Sequence, residues 1–152
     1  MGLSGPVLLS AGGTGGHLFP AEALALELKA RGHAVHLVTD VRAEKFAGHF
    51  PAEKIHVVPS ATIGSKNPLS IAKALWKLWS GYRTAGTLVR SIRPAAVVGF
   101  GGYPTVPPLM AAVGADVPSI IHEQNGVMGR ANRLLAGRVD RIAGGFLKAS
   151  GS

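Results

Sequence analysis

A glycine-rich segment with a titratable side chain at its end follows the first apolar run of the chain. The run is Val7–Ser10, and the segment reads Ala11-Gly-Gly-Thr-Gly-Gly-His-Leu-Phe-Pro20. Glycine lets the backbone take positive φ angles and approach a ligand closely, and the free N–H groups at the start of a following helix favour an anion. His17 adds an imidazole, a group suited to proton exchange near neutral pH. The pattern predicts an anion site with an acid–base residue beside it; the alternative is a tight turn that binds no ligand.

The spacing of these glycines does not fit the dinucleotide fingerprint G-x-G-x-x-G. After Gly13 and Gly15, the third glycine of that pattern would stand where the chain has Leu18. A nicotinamide-dependent domain, with Asp40 after the second strand as the ribose ligand, is therefore a weaker alternative. Absence of NAD binding in calorimetry would exclude it.

Two later segments carry related chemistry. Gly99-Phe-Gly-Gly-Tyr-Pro104 can present N–H groups to a phosphate, so two glycine loops together suggest a diphosphate. Tyr103 either stacks on or hydrogen-bonds a sugar, or it plugs the strand ends. His122-Glu-Gln-Asn-Gly126 puts four polar groups at the end of an apolar strand, which is costly unless each finds a partner. We expect at least one of them to contact ligand; the alternative is that Glu123 and Asn125 brace neighbouring loops.

The elements that must position these segments alternate between strand-length apolar runs and helical patterns. This alternation predicts an α/β fold with a doubly wound parallel sheet. The predicted strands are residues 7–10, 34–39, 55–58, 95–99, 119–122 and 141–143, and the predicted helices are 20–31, 42–50, 69–92, 105–113 and 129–136. The three segments follow the first, fourth and fifth strands. Ligands of such sheets bind at the carboxyl ends of the strands, so we expect one shared site.

Composition narrows the classes of protein and partner. A length of 152 residues, with 47% hydrophobic and 16% charged residues, indicates one well-buried domain. The absence of cysteine excludes a disulfide scaffold and thiolate chemistry. The net charge of +8 suits an anionic membrane surface or phosphate-bearing ligands, while the scattered lysines and arginines form no nucleic-acid-reading motif. The six histidines show no H-E-x-x-H pattern, so we expect no metal site.

The longest predicted helix, residues 69–92, carries aromatic and cationic side chains beside its expected core stripe. At 100° per residue, that stripe contains six residues: Ile71, Leu75, Leu78, Tyr82, Val89 and Ile92. Trp76 and Trp79 fall on its flank in the same sector as Arg83. Indole rings and basic groups along one edge suit a membrane interface with anionic lipid. The alternative is that both tryptophans belong to the core.

Taken together, the three segments closely resemble the MurG family. These are bacterial N-acetylglucosaminyltransferases that convert lipid I to lipid II in peptidoglycan synthesis. The resemblance rests on residues 12–20, 99–104 and 122–126 with Asn132, and it spans nearly the whole chain. It implies the GT-B fold of two Rossmann-like domains and an inverting reaction that needs neither metal nor cofactor. Residues 1–152 would then form the N-terminal, acceptor-binding and membrane-associating domain, without the C-terminal domain that binds the donor.

The resemblance also implies roles for individual residues. His17 corresponds to the proposed general base. The residues expected to reach the donor are Thr14, Gly15, Gly16 and Asn125. Those expected on the acceptor side are Gly12, Gly13, Gly101, Gly102, Tyr103, His122 and Glu123. The helix with Trp76, Trp79 and Arg83 corresponds to the membrane-docking region.

The implied partners are UDP-N-acetylglucosamine, held mainly by the second domain, and undecaprenyl-diphosphate-linked MurNAc-pentapeptide. The implied location is peripheral, on the cytoplasmic face of the inner membrane. A rival from another class is a non-catalytic module that binds the acceptor and the membrane and works only with a separate donor-binding partner. Sugar transfer by the two pieces together, but by neither alone, would show a split active site.

Overall fold

Six parallel strands form one sheet in the order β3-β2-β1-β4-β5-β6. The computed structural model describes residues 3–13, 15–44, 47–62, 64 and 66–146. The strands are β1 (Val7–Ser10), β2 (Val35–Thr39), β3 (Lys54–Val57), β4 (Ala96–Gly99), β5 (Ser119–Glu123) and β6 (Arg141–Gly144). This order is that of the doubly wound Rossmann sheet, so the predicted fold class is confirmed.

Helices connect the strands and pack on both faces of the sheet. They are α1 (Gly15–Ala30), α2 (Val41–Glu44), α3 (Pro68–Ile92), α4 (Val106–Gly114) and α5 (Arg130–Leu135), with 3-10 turns at Ala47–His49 and Tyr103–Thr105. Three of the predicted helices, α3, α4 and α5, are found close to their expected bounds, and α1 is found with an earlier start. Where the weak second one was expected, over 42–50, the described residues include α2 and the first 3-10 turn.

Two separate apolar cores result from the alternation of side chains along the strands. Val7 and Leu9 of β1 pack with Leu18, Ala21 and other residues of the α1 side. Leu8, between them, packs in the opposite core with buried residues of α3 and α4. Because both faces of the sheet are covered, the central strands are continuous apolar runs, as parallel strands usually are.

Helix α1 begins five residues before the predicted start at Pro20. Its first residue is Gly15, so that Gly16 and His17 stand in its first turn and Pro20 lies inside the helix. The prediction failed for two physical reasons. Glycine is a poor helix former, and proline favours the first turn of a helix, so both signals moved the expected boundary toward Pro20.

The packing face of α3 also differs from the predicted stripe. Its buried residues are Gly81, Ala85 and Val89, whereas Leu75 and Tyr82 are 52% and 42% exposed. At Gly81 the helix approaches the backbone so closely that a Cβ atom would collide with the carbonyl oxygen of Pro59. Small residues therefore make the closest contacts, and a stripe drawn from large apolar residues misses them.

The two tryptophans of α3 lie on its outer surface. Trp76 is 67% exposed and Trp79 is 54% exposed, so the alternative that both belong to the core of this chain is wrong. No helix in the described ranges is long and apolar enough to cross a bilayer.

Candidate functional site

The three polar segments predicted from the sequence meet at one edge of the sheet. The winding reverses at β1, which pairs with β2 on one side and with β4 on the other. Ser10 is in register with Gly99, and Gly99 is in register with Ile121 of β5. The carboxyl ends of β1, β4 and β5 therefore lie side by side, which is the usual ligand position in such folds.

A cavity of about 280 Å³ opens between these strand ends. Its lining combines all three segments with the start of α5: His17, Gly101, Gly102, Tyr103, Glu123, Gln124, Asn125, Gly129, Arg130, Ala131 and Asn132. We call it the rim cavity.

His17 is oriented by a hydrogen bond within its own loop. Its Nδ1 lies 3.1 Å from the carbonyl oxygen of Gly12. A carbonyl only accepts, so Nδ1 carries the hydrogen, and in the neutral imidazole Nε2 then carries the lone pair. A Cβ atom at Gly101 would lie 3.1 Å from that Nε2, so the ring lies directly against the second glycine loop. This tautomer can accept a proton at Nε2.

The second glycine loop needs glycine for two reasons. Gly101 and Gly102 have φ angles of 97° and 81°, in the region that disfavours side chains. A side chain at Gly101 would also press on the His17 ring. The loop thus lines the rim cavity and lies close to the imidazole.

Glu123 organises the loop after β5. It is 1% exposed, and its Oε1 accepts hydrogen bonds from the backbone N–H and the side-chain amide of Asn125, at 3.0 and 2.9 Å. Its Oε2 accepts from the N–H of Gly129 and from Asn132 Nδ2, both at 2.9 Å. Burial opposes the charge, but these hydrogen bonds outweigh it and lower the pKa of Glu123. The contacts match the bracing alternative; contact between Glu123 and an acceptor stays a prediction.

Asn132 brings an unsatisfied acceptor to the rim cavity. Its side chain is almost fully buried, and Nδ2 donates to the carbonyl oxygen of His122 and to Glu123. Within the described residues its Oδ1 has no hydrogen-bond partner. Buried polar atoms normally have one, so this oxygen is a candidate acceptor for a donor from a ligand or water.

Some predicted site residues lie beside the rim cavity rather than in its lining. His122 is half-buried, with its ring 5.4 Å from that of Phe100 and its Nδ1 3.4 Å from Gln124 Oε1. Gly12 packs under Pro104, and Gly13 has a φ of 41°. Their proposed contacts stay predictions.

The remaining donor-side residues have different positions. Gly15 and Gly16 form the start of α1, and Gly15 lines a neighbouring cavity with Phe19 and Phe50. Asn125 lines the rim cavity itself. Thr14 lies outside the described residues.

Sequence reasoning missed the contribution of α5. Gly129, Arg130 and Ala131 line the rim cavity, and Arg130 adds a cation to it. A signal was present, because Arg130 is the first charged residue after the polar end of β5 and opens a predicted helix.

The acidic residue of the nicotinamide alternative is engaged in other contacts. Asp40 is buried, its Oδ2 lies 2.7 Å from the guanidinium of Arg42, and its Oδ1 accepts from the N–H of Ala43. These contacts give Asp40 a capping and ion-pairing function at the start of α2. Among the described residues, no three His, Asp or Glu side chains lie close enough together to hold a metal ion.

Comparison with known families agrees with this geometry. Residues 7–144 match the glycosyltransferase family 28 N-terminal domain. The chain belongs to this family. The match includes all six strands and every described residue of the rim cavity.

Curated relatives in this family share one name and a high identity. A UDP-N-acetylglucosamine–N-acetylmuramyl-(pentapeptide) pyrophosphoryl-undecaprenol N-acetylglucosamine transferase of Agrobacterium fabrum is 73% identical over 94% of this chain. The protein of the same name from Sinorhizobium fredii is 71% identical over the same share. The chain spans only 38% of the length of either relative.

Solved structures of glycosyltransferases have a similar fold. Acinetobacter baumannii MurG superposes with a TM-score of 0.78 at 26% identity, over 95% of this chain and 42% of that protein. The glycosyltransferase VinC superposes with a TM-score of 0.62 at 17% identity, over 89% of this chain and 40% of that protein, and shows the fold alone. The resemblance to MurG expected from the three segments is confirmed.

Proposed function

We propose that this chain is the acceptor-binding half of an inverting glycosyltransferase. The donor is UDP-N-acetylglucosamine, and the acceptor is the undecaprenyl-diphosphate-linked MurNAc-pentapeptide of peptidoglycan synthesis. The names of relatives at about 70% identity support these substrates. The observation that carries the proposal is the rim cavity, where an oriented imidazole lies against a glycine loop that lines the cavity.

In the proposed reaction, Nε2 of His17 accepts the proton of the acceptor sugar's 4-hydroxyl group. The hydroxyl oxygen forms a bond to the anomeric carbon of the donor from the face opposite the leaving group, and the bond to UDP breaks. The Nδ1–H bond to Gly12 holds the tautomer that this step needs. General-base catalysis of this kind contributes about 10²- to 10⁴-fold in rate.

The other residues bind and orient the substrates. N–H groups of Gly101 and Gly102, together with the guanidinium of Arg130, face the acceptor diphosphate. The buried Oδ1 of Asn132 accepts a hydrogen bond from the acceptor sugar. Thr14, Gly15, Gly16 and Asn125 contact the donor, whose departing UDP is stabilised by the N–H groups at the start of α1 and by the second half of the enzyme.

The test joins this chain to the part of the Agrobacterium fabrum relative that follows the matched region. Transfer of N-acetylglucosamine to the lipid-linked acceptor is measured for this joined protein and for each part alone. We expect transfer by the joined protein only. Transfer restored by mixing the separate parts would support the split-site description. A joined protein that folds and binds UDP-N-acetylglucosamine but transfers no sugar would contradict the proposed function.

We also propose that the chain associates peripherally with the cytoplasmic face of the bacterial inner membrane through α3. Leu69, Trp76 and Trp79 are exposed at positions that share one side of the helix. Four basic residues and no acidic residue accompany them in α3. Exposed aromatic rings beside cations suit the headgroup region of an anionic bilayer.

The membrane proposal is tested by sedimentation with vesicles. Trp76→Ala with Trp79→Ala is expected to reduce binding to vesicles at least about tenfold, because two indole rings leave the interface. The matched control is Val127→Ala with Phe146→Ala, two apolar residues that are equally exposed but lie outside α3. Equal loss in both double variants would show non-specific adhesion and contradict a docking surface on α3.

A further inference from the structure

A second cavity lies against the first turn of α1, on the side away from His17. It has a volume of about 260 Å³, and its lining residues are Gly15, Leu18, Phe19, Glu22, His49 and Phe50. We call it the Phe19 cavity. Its aromatic residues have no part in the reaction proposed above.

The start of α1 has two faces that border different cavities. Four residues of the helix line the Phe19 cavity, and their spacing of i, i+3, i+4 and i+7 puts them on one face: Gly15, Leu18, Phe19 and Glu22. His17 stands two positions after Gly15, which places it on nearly the opposite face of a helix with 3.6 residues per turn. The first turn of α1 therefore separates the Phe19 cavity from the rim cavity.

Phe19 forms the open wall of this cavity. Its side chain is 70% exposed. A Cβ atom at Gly15 would lie 2.9 Å from Cε2 of Phe19, so the ring lies against the first residue of the helix. Phe50 is half-buried and packs against the core on the α1 side of the sheet. The cavity thus combines one aromatic ring held by the core with one that is available to a ligand.

The polar groups of the Phe19 cavity suit amides better than phosphates. Its described lining residues include Glu22 and His49 but neither lysine nor arginine, whereas Arg130 lines the rim cavity. A carboxylate accepts hydrogen bonds from peptide N–H groups, and an imidazole N–H donates to peptide carbonyl groups. A phosphate would be repelled by the carboxylate of Glu22. Apolar walls with a few polar groups are typical of a site for a neutral or mixed organic group.

We propose that the Phe19 cavity binds the peptide of the lipid-linked acceptor. This inference rests on the proposed function and adds to it a position for the pentapeptide. The peptide of the acceptor is attached through the lactyl ether on C3 of MurNAc, beside the 4-hydroxyl group. A sugar with that hydroxyl at Nε2 of His17 therefore has its peptide attached close to the first turn of α1.

The lengths of the helix and the peptide agree with this position. A helix with its side chains is about 10–12 Å across. A peptide of five residues spans at most about 18 Å when it is extended. The peptide can therefore pass the start of α1 from the face that carries His17 to the face that carries Phe19. The cavity volume of about 260 Å³ is below the roughly 300–1,000 Å³ of a pocket that encloses a whole ligand, so it suits one part of the peptide.

The test compares two acceptors with the joined protein: the lipid-linked MurNAc-pentapeptide and the same lipid-linked MurNAc without its peptide. We expect kcat/KM to be about tenfold higher for the acceptor that carries the peptide. Phe19→Ala should remove most of this preference, because the peptide loses an aromatic surface on which to bury its apolar groups. Phe19→Tyr keeps the ring and should keep the preference. The matched control is Leu26→Ala, an apolar residue of the same helix that is 55% exposed and lies outside the cavity lining.

The outcomes separate this inference from the proposed function. Equal kcat/KM for the two acceptors, or a preference that Phe19→Ala leaves unchanged, would overturn the Phe19 cavity as the peptide site while sugar transfer still stands. A rise in the KM for UDP-N-acetylglucosamine alone would place Phe19 on the donor side and overturn the inference as well. A folded joined protein that binds the donor but transfers sugar to neither acceptor would contradict the proposed function itself. Circular dichroism confirms that the variants are folded.

Discussion

The rim cavity and the outer face of α3 differ in how firmly their side chains are held. In the rim cavity, His17, Glu123 and Asn132 are fixed by hydrogen bonds to neighbouring loops. On α3, Trp76 and Trp79 are exposed to solvent, and the guanidinium carbon of Arg83 lies 5.1 Å from the ring centre of Trp79. The proposed chemistry of the rim cavity thus depends on the placement of single atoms. The proposed membrane binding of α3 depends on how much apolar surface and positive charge its outer face presents.

This difference predicts that substitutions in the two regions will change different measured properties. Changes in the rim cavity should alter catalysis or the free energy of unfolding without altering vesicle binding. Changes on the helix face should do the reverse. The predictions that follow begin with the largest expected effect and end with the smallest.

The largest effect is expected for His17→Ala. In the joined protein, turnover should fall about 100-fold or more, because the group that accepts the hydroxyl proton is lost. Vesicle binding should not change. The control is His33→Ala, at the opposite end of α1 and outside the rim cavity. Near-normal turnover of the His17 variant would remove this residue from the role of base.

Glu123→Gln should lower the free energy of unfolding by about 1–3 kcal/mol, because one oxygen that accepts two hydrogen bonds becomes a donor facing donors. Denaturant titration of the chain measures the change. The matched control is Glu27→Gln, in an exposed pair with Arg31, for which about 0.5 kcal/mol or less is expected.

Denaturant titration of a variant without the two tryptophans of α3 tests the other side of this comparison. Trp76→Ala with Trp79→Ala should change the free energy of unfolding by no more than about 0.5 kcal/mol, since both side chains are exposed. A loss as large as that of Glu123→Gln would mean that the helix face takes part in folding, and the proposed division would fail.

Arg130→Gln tests the cation that lines the rim cavity. We expect the KM for the lipid-linked acceptor to rise about tenfold, because a hydrogen bond to a charged group contributes about 1.5 kcal/mol or more. Turnover at saturation should change less. Arg133→Gln, three residues further along α5 and outside the lining, is the control. Equal values of KM for the two variants would show that Arg130 does not contribute to binding of the acceptor.

The smallest effect concerns pH and a site apart from both regions. His56 Nε2 and His36 Nδ1 lie 3.2 Å apart on β3 and β2, and burial lowers the pKa of both histidines, with the charge of His36 contributing to the shift at His56. The unfolded chain then binds more protons than the folded chain just below the ordinary histidine pKa. The free energy of unfolding should therefore decrease as the pH falls from about 7.5 to 5.5.

His56→Gln should make this pH dependence less steep, which thermal unfolding at several pH values would reveal. Glu123 does not contribute in this range. The lowered pKa of Glu123 makes its stabilisation complete above the ordinary glutamate pKa and lost only at more acidic pH. An unchanged slope in the His56 variant would assign the pH dependence to other groups.

The sequence was sufficient to predict the strands and the meeting of the three polar segments. Short apolar runs such as Val7–Ser10 are visible because parallel strands are buried on both faces. The order of βαβ units then places their carboxyl ends on one side. The position of His17 near the carboxyl end of β1 followed from that rule, without knowledge of any contact.

The features that could not be predicted depend on close approach between distant segments. The packing face of α3 is set by Gly81 against Pro59, which periodicity of large residues does not reveal. The four hydrogen bonds of Glu123 depend on the path of the loop to Gly129. The start of α1 depends on a helix that includes glycines and a proline, against their average preferences.

The contact of Gly81 with Pro59 ties α3 to the connection that leaves β3, within the same sheet that carries the rim cavity. Because α3 packs this closely, Trp76 and Trp79 on its outer face belong to the same packed domain as His17. A protein that lies on a bilayer through α3 would therefore present its reaction centre at a set elevation above the headgroups. The close approach at Gly81 would then help to set how far the proposed lipid-linked acceptor must extend to reach His17.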